Sequence, residues 1–177
     1  MLLMLFVPLI PYTIPPHLNT KTAEPLKKME HTFIALKPDC IARRLSGTII
    51  SRFEKKGFTL TAMKLVIATE NMLRQHYAEH VDKPWFKDFI KFFLNKQIIC
   101  MVWSGKNIIK ESRKMIGATD PQEALMGTIR GDFGVDKGRN LVHGSDSLES
   151  AQREIKLWFG DNIDFQDSFD KDQVYEN

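Results

Sequence analysis

Cysteine is scarce in this sequence. The 177-residue chain has two cysteines, Cys40 and Cys100, which lie 60 positions apart. No Cys-x-x-Cys spacing occurs, so the sequence supports neither a disulfide framework nor a zinc knuckle. A reducing compartment is therefore the default expectation.

Several familiar phosphate-binding and hydrolytic motifs are missing as well. The chain has no G-x-x-x-x-G-K-[ST] and no G-x-G-x-x-G stretch, which argues against Walker-type and dinucleotide-type phosphate loops. H-E-x-x-H is absent too. Ser145 lies in His-Gly-Ser-Asp-Ser, which is not the G-x-S-x-G turn of a serine hydrolase. Any chemistry must therefore use other groups.

No hydrophobic run is long enough to cross a bilayer. The apolar start, MLLMLFVPLIPYTIPP, contains three prolines by Pro15 and no basic residue before Lys21, so it is a poor membrane-spanning or secretory segment. We treat residues 1–30 as an N-terminal extension outside the fold. It is either a leader or the product of an unused upstream start, in which case translation would begin at Met29. We expect a cytoplasmic protein without a membrane span, and targeting by residues 1–28 to an organelle or for secretion is the open alternative.

Charge is distributed unevenly along the rest of the chain. Residues 31–160 hold 21 basic and 14 acidic side chains, a net +7, whereas residues 161–177 hold six acids and one lysine. A basic body fits a polyanionic partner such as a nucleotide, a nucleic acid or an anionic lipid. Charge cannot choose among these, and a solvated surface that happens to be basic is the preferred explanation until a site is found. The acidic residues 161–177 are predicted to form a separate tail.

Apolar periodicity predicts one α/β domain over residues 31–160. Strands are predicted at 32–36, 58–67, 98–103 and 141–142, and helices at 45–56, 71–80, 85–94, 107–116 and 148–159. Asp146 and Glu149 form a predicted capping box before the last helix. The 22-residue segment 117–138 has five glycines and little predicted structure, which is typical of a functional loop. The order of elements predicts an α/β sandwich whose helices cover one sheet.

His143 is the best candidate for a reactive group. A neutral imidazole nitrogen can attack phosphorus without a separate base. Phosphoryl transfer also needs cations and fixed donors around the moving group, and Lys37, Arg113, Arg130 and the start of the last helix could supply these. From spacing alone, a core or surface histidine without catalytic function remains the open alternative.

Five blocks of this sequence resemble the nucleoside diphosphate kinases. They are collinear from Thr32 to about Phe159, and the Arg-Asn-x-x-His-Gly-Ser-Asp-Ser block is the most specific. The blocks are TFIALKPD at 32–39, RFEKKGF at 52–58, HY at 76–77, GTIRGDF at 127–133 and GRNLVHGSDSLESAQREI at 138–155. The resemblance implies a ferredoxin-like α/β sandwich with a four-stranded antiparallel sheet covered by helices.

The resemblance also implies a reaction and its partners. The family transfers the terminal phosphoryl group from a nucleoside triphosphate, typically ATP, to a nucleoside diphosphate by a ping-pong mechanism through a phosphohistidine, which matches His143 here. Mg²⁺ is carried on the nucleotide, and Asp146 lies near the metal-bound phosphates. We expect a homo-oligomer, a hexamer rather than a tetramer, and no obligatory nucleic acid.

Individual positions match the family's site residues. The expected catalytic set and the expected nucleotide-binding set share one lysine. The catalytic set is His143, Glu154, Lys37, Tyr77 and Ser145; the nucleotide-binding set is Lys37, Trp85, Arg113, Thr119, Arg130 and Asn140. Glu154 would orient the His143 ring, and Ser145 would support that glutamate. Trp85 stands where the family usually has phenylalanine, so we expect stacking on every base, with a core tryptophan as the alternative.

Some features remain open or depart from the family. Spacing cannot choose between Arg113 and Lys114 as the residue that faces the site. Cys40 and Arg44 stand where the family usually has glycine, which costs energy if either position needs a positive φ. Strict strand alternation would put Asn140 and His143 on opposite faces, so an irregular backbone is expected there. A non-catalytic nucleotide- or nucleic-acid-binding protein with the same fold is the alternative function.

Overall fold

A computed structural model of the chain describes residues 29–161 together with residues 163 and 174. The predicted N-terminal extension, apart from Met29 and Glu30, lies outside these residues, as does most of the predicted acidic tail. None of the helices in the described part is long and apolar enough to cross a membrane.

A four-stranded sheet organises the chain. Its strands are β1 (Met29–Leu36), β2 (Thr59–Ile67), β3 (Gln97–Lys106) and β4 (Val142–Gly144). The strand order is β2-β3-β1-β4, and every neighbouring pair is antiparallel. The two central strands, β1 and β3, are the most buried. The predicted four-stranded antiparallel sheet of a ferredoxin-like sandwich is therefore confirmed.

Helices connect the strands and cover both faces of the sheet. They are α1 (Pro38–Ala42), α2 (Ser46–Lys55), α3 (Glu70–His76), α4 (Phe86–Phe93), α5 (Ile108–Ile116), α6 (Ile129–Phe133) and α7 (Leu148–Phe159). Side chains of β1 alternate between two cores. Ile34 and Leu36 pack with α2 and α5, whereas Phe33 and Ala35 pack with α3, α4 and α7.

Three local features differ from the sequence-based predictions. β1 begins at Met29 rather than Thr32, because the first residues of the strand continue the ladder with β3. Helix α1 was not predicted, since Pro38 was interpreted only as the end of a strand, although proline is also favoured in the first turn of a helix. The segment 117–138 contains a 3-10 turn at Pro121–Glu123 and helix α6, so it is more structured than predicted.

The predicted capping box of the last helix is wrong. The N-cap of α7 is Ser147, whose Oγ accepts a hydrogen bond from the backbone N–H of Ser150 at 3.1 Å. Asp146 lies one residue outside the cap and is exposed. Serine and aspartate are both good N-caps, so adjacent candidates cannot be ranked from sequence.

Two backbone irregularities predicted from the sequence are present. Leu141 has φ +69°, a left-handed conformation that breaks the strand alternation between Asn140 and His143. Arg44 has φ +57°, so it occupies a position that glycine would adopt without steric cost. Cys40, the second departure from the family pattern, lies inside α1 and is not strained in this way.

Candidate active site

His143 lies in the middle of β4, paired with Ala35 on β1. Its side chain is 21% exposed, and its Nε2 lies 3.0 Å from Oε2 of Glu154, a side chain that is 5% exposed on α7. The Ser145 hydroxyl donates to the same Oε2 at 2.7 Å. A carboxylate can only accept hydrogen bonds, so Nε2 carries the ring proton and Nδ1 keeps its lone pair.

The turn before His143 is held by the Lys-Pro-Asp segment at the end of β1. The Lys37 N–H donates to the carbonyl of Leu141 at 2.8 Å, and the Leu141 N–H donates to Oδ2 of Asp39 at 2.9 Å. These two bonds fix Leu141 in its left-handed conformation. Asp39 thus positions the turn that places Asn140 and His143 together, a role that its sequence position did not reveal.

Lys37 is a buried cation beside this turn. Its Nζ donates to Oδ1 of Asn140 at 2.5 Å, and the Asn140 amide donates to the carbonyl of Thr119 at 2.8 Å. Burial first, and then the charge of Arg130, lower the pKa of Lys37 from 10.5 to about 7, with Asp39 opposing the shift. A buried ammonium without a charged hydrogen-bond partner is costly, so this site favours an incoming anion.

Arg130 anchors the loop that forms one wall of the site. Its guanidinium donates to the carbonyls of Gly117 and Ala118 at 3.2 Å, and to those of Asn140 and Val142 at 3.2 and 2.7 Å. Burial and the charge of Arg113 lower the pKa of Arg130 to about 10. Arg130 therefore fastens the segment 117–138 to the strand that carries the histidine.

The structure distinguishes Arg113 from Lys114. Arg113 faces the site, where its Nη1 lies 3.4 Å from the carbonyl of Gly144. Lys114 faces away and forms an exposed ion pair with Glu111 at 2.7 Å. A hydrogen bond from Ser150 is the main cause that lowers the pKa of the Asp146 carboxyl, and the charge of nearby Arg113 lowers it further.

A chain of aromatic rings extends from His143 to the surface. Tyr77 lies edge-on to His143, with ring centroids 5.9 Å apart, and burial raises the pKa of its phenol well above the ordinary value. Phe89 connects Tyr77, at 4.7 Å, to Trp85, at 5.6 Å. Trp85 is 49% exposed, so the alternative interpretation as a core tryptophan is wrong. Thr119 is exposed at the start of the loop.

One side-chain group has the composition of a metal site. The ligand atoms of His76, His143 and Glu154 lie within 4.8 Å of one another. However, the Trp158 Nε1–H donates to Nδ1 of His76 at 3.0 Å, so the proton of the neutral ring is on Nε2. Binding a metal through Nε2 would move that proton to Nδ1, against the indole donor. The arrangement fits a hydrogen-bond network better than a metal centre.

Comparison with known proteins agrees with this geometry. The family model described as nucleoside diphosphate kinase matches residues 30–163. The chain belongs to the nucleoside diphosphate kinase family. A nucleoside diphosphate kinase of Eremothecium gossypii is 55% identical over 130 residues, which cover 73% of this chain and 86% of the relative. The Saccharomyces cerevisiae nucleoside diphosphate kinase is also 55% identical over 130 residues, 73% of this chain and 85% of the relative.

Solved structures of the family share the fold. The apo nucleoside diphosphate kinase of Encephalitozoon cuniculi has a TM-score of 0.80 and 46% identity, covering 82% of this chain and 99% of that one. The Halobacterium salinarum enzyme, solved in complex with CDP, has a TM-score of 0.80 and 41% identity, covering 84% of this chain and 100% of that one. The prediction of a nucleotide-binding kinase of this family is therefore confirmed.

Proposed function

We propose that this chain transfers the terminal phosphoryl group of a nucleoside triphosphate, typically ATP, to a nucleoside diphosphate by a ping-pong mechanism through phosphorylated His143. The observation that carries the proposal is the orientation of the ring. Glu154 holds Nε2 at 3.0 Å, which leaves the Nδ1 lone pair free. A partly exposed imidazole in this state is a competent nucleophile towards phosphorus.

The second half-reaction is chemically the reverse of the first. In the first, Nδ1 attacks the terminal phosphorus, the bond from phosphorus to the bridging oxygen breaks, and a nucleoside diphosphate leaves. In the second, a terminal oxygen of another nucleoside diphosphate attacks the phosphohistidine and His143 is regenerated. The ring gains positive charge as the nitrogen–phosphorus bond forms. The buried carboxylate of Glu154 stabilises that charge without removing the proton.

Three cations near His143 suit the phosphate chain. Lys37 follows β1, Arg113 lies on α5 and Arg130 lies on α6. The charge of Arg130 lowers the pKa of Lys37, and the charge of Arg113 lowers the pKa of Arg130. Catalysis of phosphoryl transfer is mainly positioning and stabilisation of charge. We propose that these three side chains bind phosphate oxygens, that Asn140 and Lys37 contact the ribose, and that Thr119 completes the phosphate site.

The metal that we propose is Mg²⁺, carried on the nucleotide. Mg²⁺ in kinase sites is usually held by one or two carboxylates together with substrate phosphates and water. Asp146 is an exposed carboxylate beside Arg113, so it fits an indirect contact with such a metal. When bound, the ion would offset phosphate charge, and the side chains described above would orient the reacting groups.

Trp85 supports the proposed tolerance for different bases. Its half-exposed ring is braced by His80, with centroids 5.4 Å apart, and by Phe89. Every nucleobase offers a flat π-face, so stacking on an indole binds bases without hydrogen-bond readout.

A homo-oligomer, which we propose to be a hexamer, is supported by an apolar stripe on the edge strand β2. Met63, Leu65 and Ile67 alternate along β2 and are 54%, 56% and 60% exposed. β2 pairs with β3 on one side. An edge strand with an exposed apolar face is a typical site of association between copies.

Steady-state kinetics test the proposed mechanism. A ping-pong route predicts parallel lines when reciprocal velocity is plotted against reciprocal donor concentration at several acceptor concentrations. Intersecting lines would indicate direct transfer between two bound nucleotides and contradict a phosphohistidine route. The same plots for Lys156→Arg, a change at an exposed residue of α7 whose ammonium pairs with Asp161, serve as the matched control.

A further inference from the structure

A second imidazole lies against the proposed nucleophile. The rings of His76 and His143 have centroids 4.5 Å apart and an interplanar angle of 73°. His76 ends helix α3 and is 5% exposed. It is the closest aromatic neighbour that the structure gives His143, since the rings of Tyr77 and Phe33 lie at 5.9 and 6.0 Å.

The Trp158 indole fixes the tautomer of His76. The Trp158 Nε1–H donates to Nδ1 of His76 at 3.0 Å in the buried core, which places the His76 proton on Nε2. Burial, followed by the charges of His143, Arg153 and Lys37, lowers the pKa of His76 well below its ordinary value. Since one nitrogen accepts a hydrogen bond and the other carries a proton, His76 has no lone pair for a phosphoryl group.

Helix α7 supplies a hydrogen-bond partner to each of the two histidines. Glu154 and Trp158 are four residues apart and therefore lie on one face of the helix. Glu154 holds His143 directly, and Trp158 holds it through His76. The Phe33 ring stacks on Trp158, with centroids 6.0 Å apart and planes 10° apart, and this fixes the indole in turn.

We propose that Trp158 and His76 form a positioning pair that fixes the ring plane of His143, with Nδ1 facing the phosphoryl group, and that keeps the neighbouring imidazole from competing as a nucleophile. The inference rests on the proposed function. It makes His76 a positioning residue, because it acts through His143. A purely structural histidine could be replaced by an apolar ring with a cost in stability alone.

The test compares three variants by single-turnover phosphorylation with γ-labelled ATP and Mg²⁺. Trp158→Phe keeps a ring and removes the donor, His76→Phe keeps a ring and removes both nitrogens, and the double variant removes the whole interaction. Each single variant should slow phosphorylation of His143 on the order of tenfold, as small misplacements of reacting groups do. The dissociation constant for ADP should stay within about twofold, since the nucleotide contacts are unchanged. The double variant should be no slower than the slower single variant.

Trp103→Phe is the matched control. Trp103 is fully buried in the core on the other face of the sheet, and its indole nitrogen has no hydrogen-bond partner among the residues described. This change should lower the melting temperature and leave the phosphorylation rate of the folded protein within about twofold of the original.

Three results overturn the inference. If the original protein becomes labelled, an unchanged rate in a folded Trp158→Phe or His76→Phe variant rejects the positioning pair and leaves the proposed function intact. The same conclusion follows if their rates fall only in proportion to the folded fraction, as with Trp103→Phe. Absence of label in the original protein rejects the proposed function, and the inference with it. Because two single variants carry the same prediction, either one suffices if the other does not fold.

Discussion

Replacing Glu154 with glutamine removes the charge from a nearly buried carboxylate without changing its size. The Oε2 atom receives hydrogen bonds from His143 Nε2 at 3.0 Å and from Ser145 Oγ at 2.7 Å. The amide oxygen of glutamine can accept both bonds, so the ring can stay in place. Glu154→Gln therefore isolates the contribution of the charge to the attack by His143.

The expected loss of rate follows from replacing a hydrogen bond to a charged acceptor with one to a neutral acceptor. A hydrogen bond to a charged group contributes about 1.5–3 kcal/mol, and one between neutral groups about 0.5–1.5 kcal/mol. The imidazole becomes cationic in the transition state, so the charged bond is strongest there. Because glutamine still accepts the bond as a neutral partner, the loss is the difference between the two ranges, about 1–1.5 kcal/mol. This corresponds to a rate reduced about 5- to 13-fold.

Rapid-quench measurement of phosphohistidine formation checks this value. Glu149→Gln is the control, because Glu149 is exposed on the same helix and its replacement should change the rate by less than about twofold. A Glu154→Gln variant that is folded and phosphorylated at the original rate would refute the charge-stabilisation argument.

Three further changes test the rest of the site and the assembly. Because the pKa of Lys37 is about 7 and a polyphosphate favours the ammonium form, nucleotide affinity should be full below that pKa and fall as pH rises from about 7 to about 9, and calorimetry should show proton uptake on binding. Lys37→Arg should make nucleotide affinity nearly independent of pH over this range. An original protein whose affinity depends equally little on pH would contradict this role of Lys37. Trp85→Ala should weaken binding of adenine, guanine and pyrimidine nucleotides by about 1–3 kcal/mol each, measured by calorimetry, and equal affinity would refute stacking. Leu65→Glu places a charge on the apolar stripe of β2 and should lower the mass found by light scattering, whereas an unchanged multimer, or a monomer before the change, would reject that stripe as an interface.

The architecture was largely predictable because it depends on local patterns. Alternation along residues 32–36 and helical spacing over 148–159 are visible in the sequence, and both elements form. The departures are at boundaries, where two local signals compete. Pro38 can end a strand or begin a helix, and Asp146 and Ser147 can each cap a helix. Tertiary contacts decided these cases.

The site was predictable only where the residue type already suggested its chemistry. His143, Lys37 and Arg130 are reactive or charged, and the resemblance to the family located their partners. Asp39 and His76 lay in the matched blocks, but their roles depend on Leu141 and Trp158, which are distant in sequence. Regular strand alternation would place Asn140 and His143 on opposite faces of the sheet, and this was the one sequence signal that pointed to the left-handed conformation of Leu141. The domain boundaries and the cytoplasmic location stay predictions.

The most direct test of the account is to isolate the phosphorylated protein. The purified chain and its His143→Ala variant are incubated with γ-labelled ATP and Mg²⁺, freed of nucleotide, and then either treated with acid or given unlabelled GDP. The account predicts an acid-labile label that depends on His143 and moves to GTP. If nucleotide binds but no label is found, or if label persists in His143→Ala, the phosphohistidine mechanism is contradicted, and the first of these results favours a non-catalytic nucleotide-binding protein.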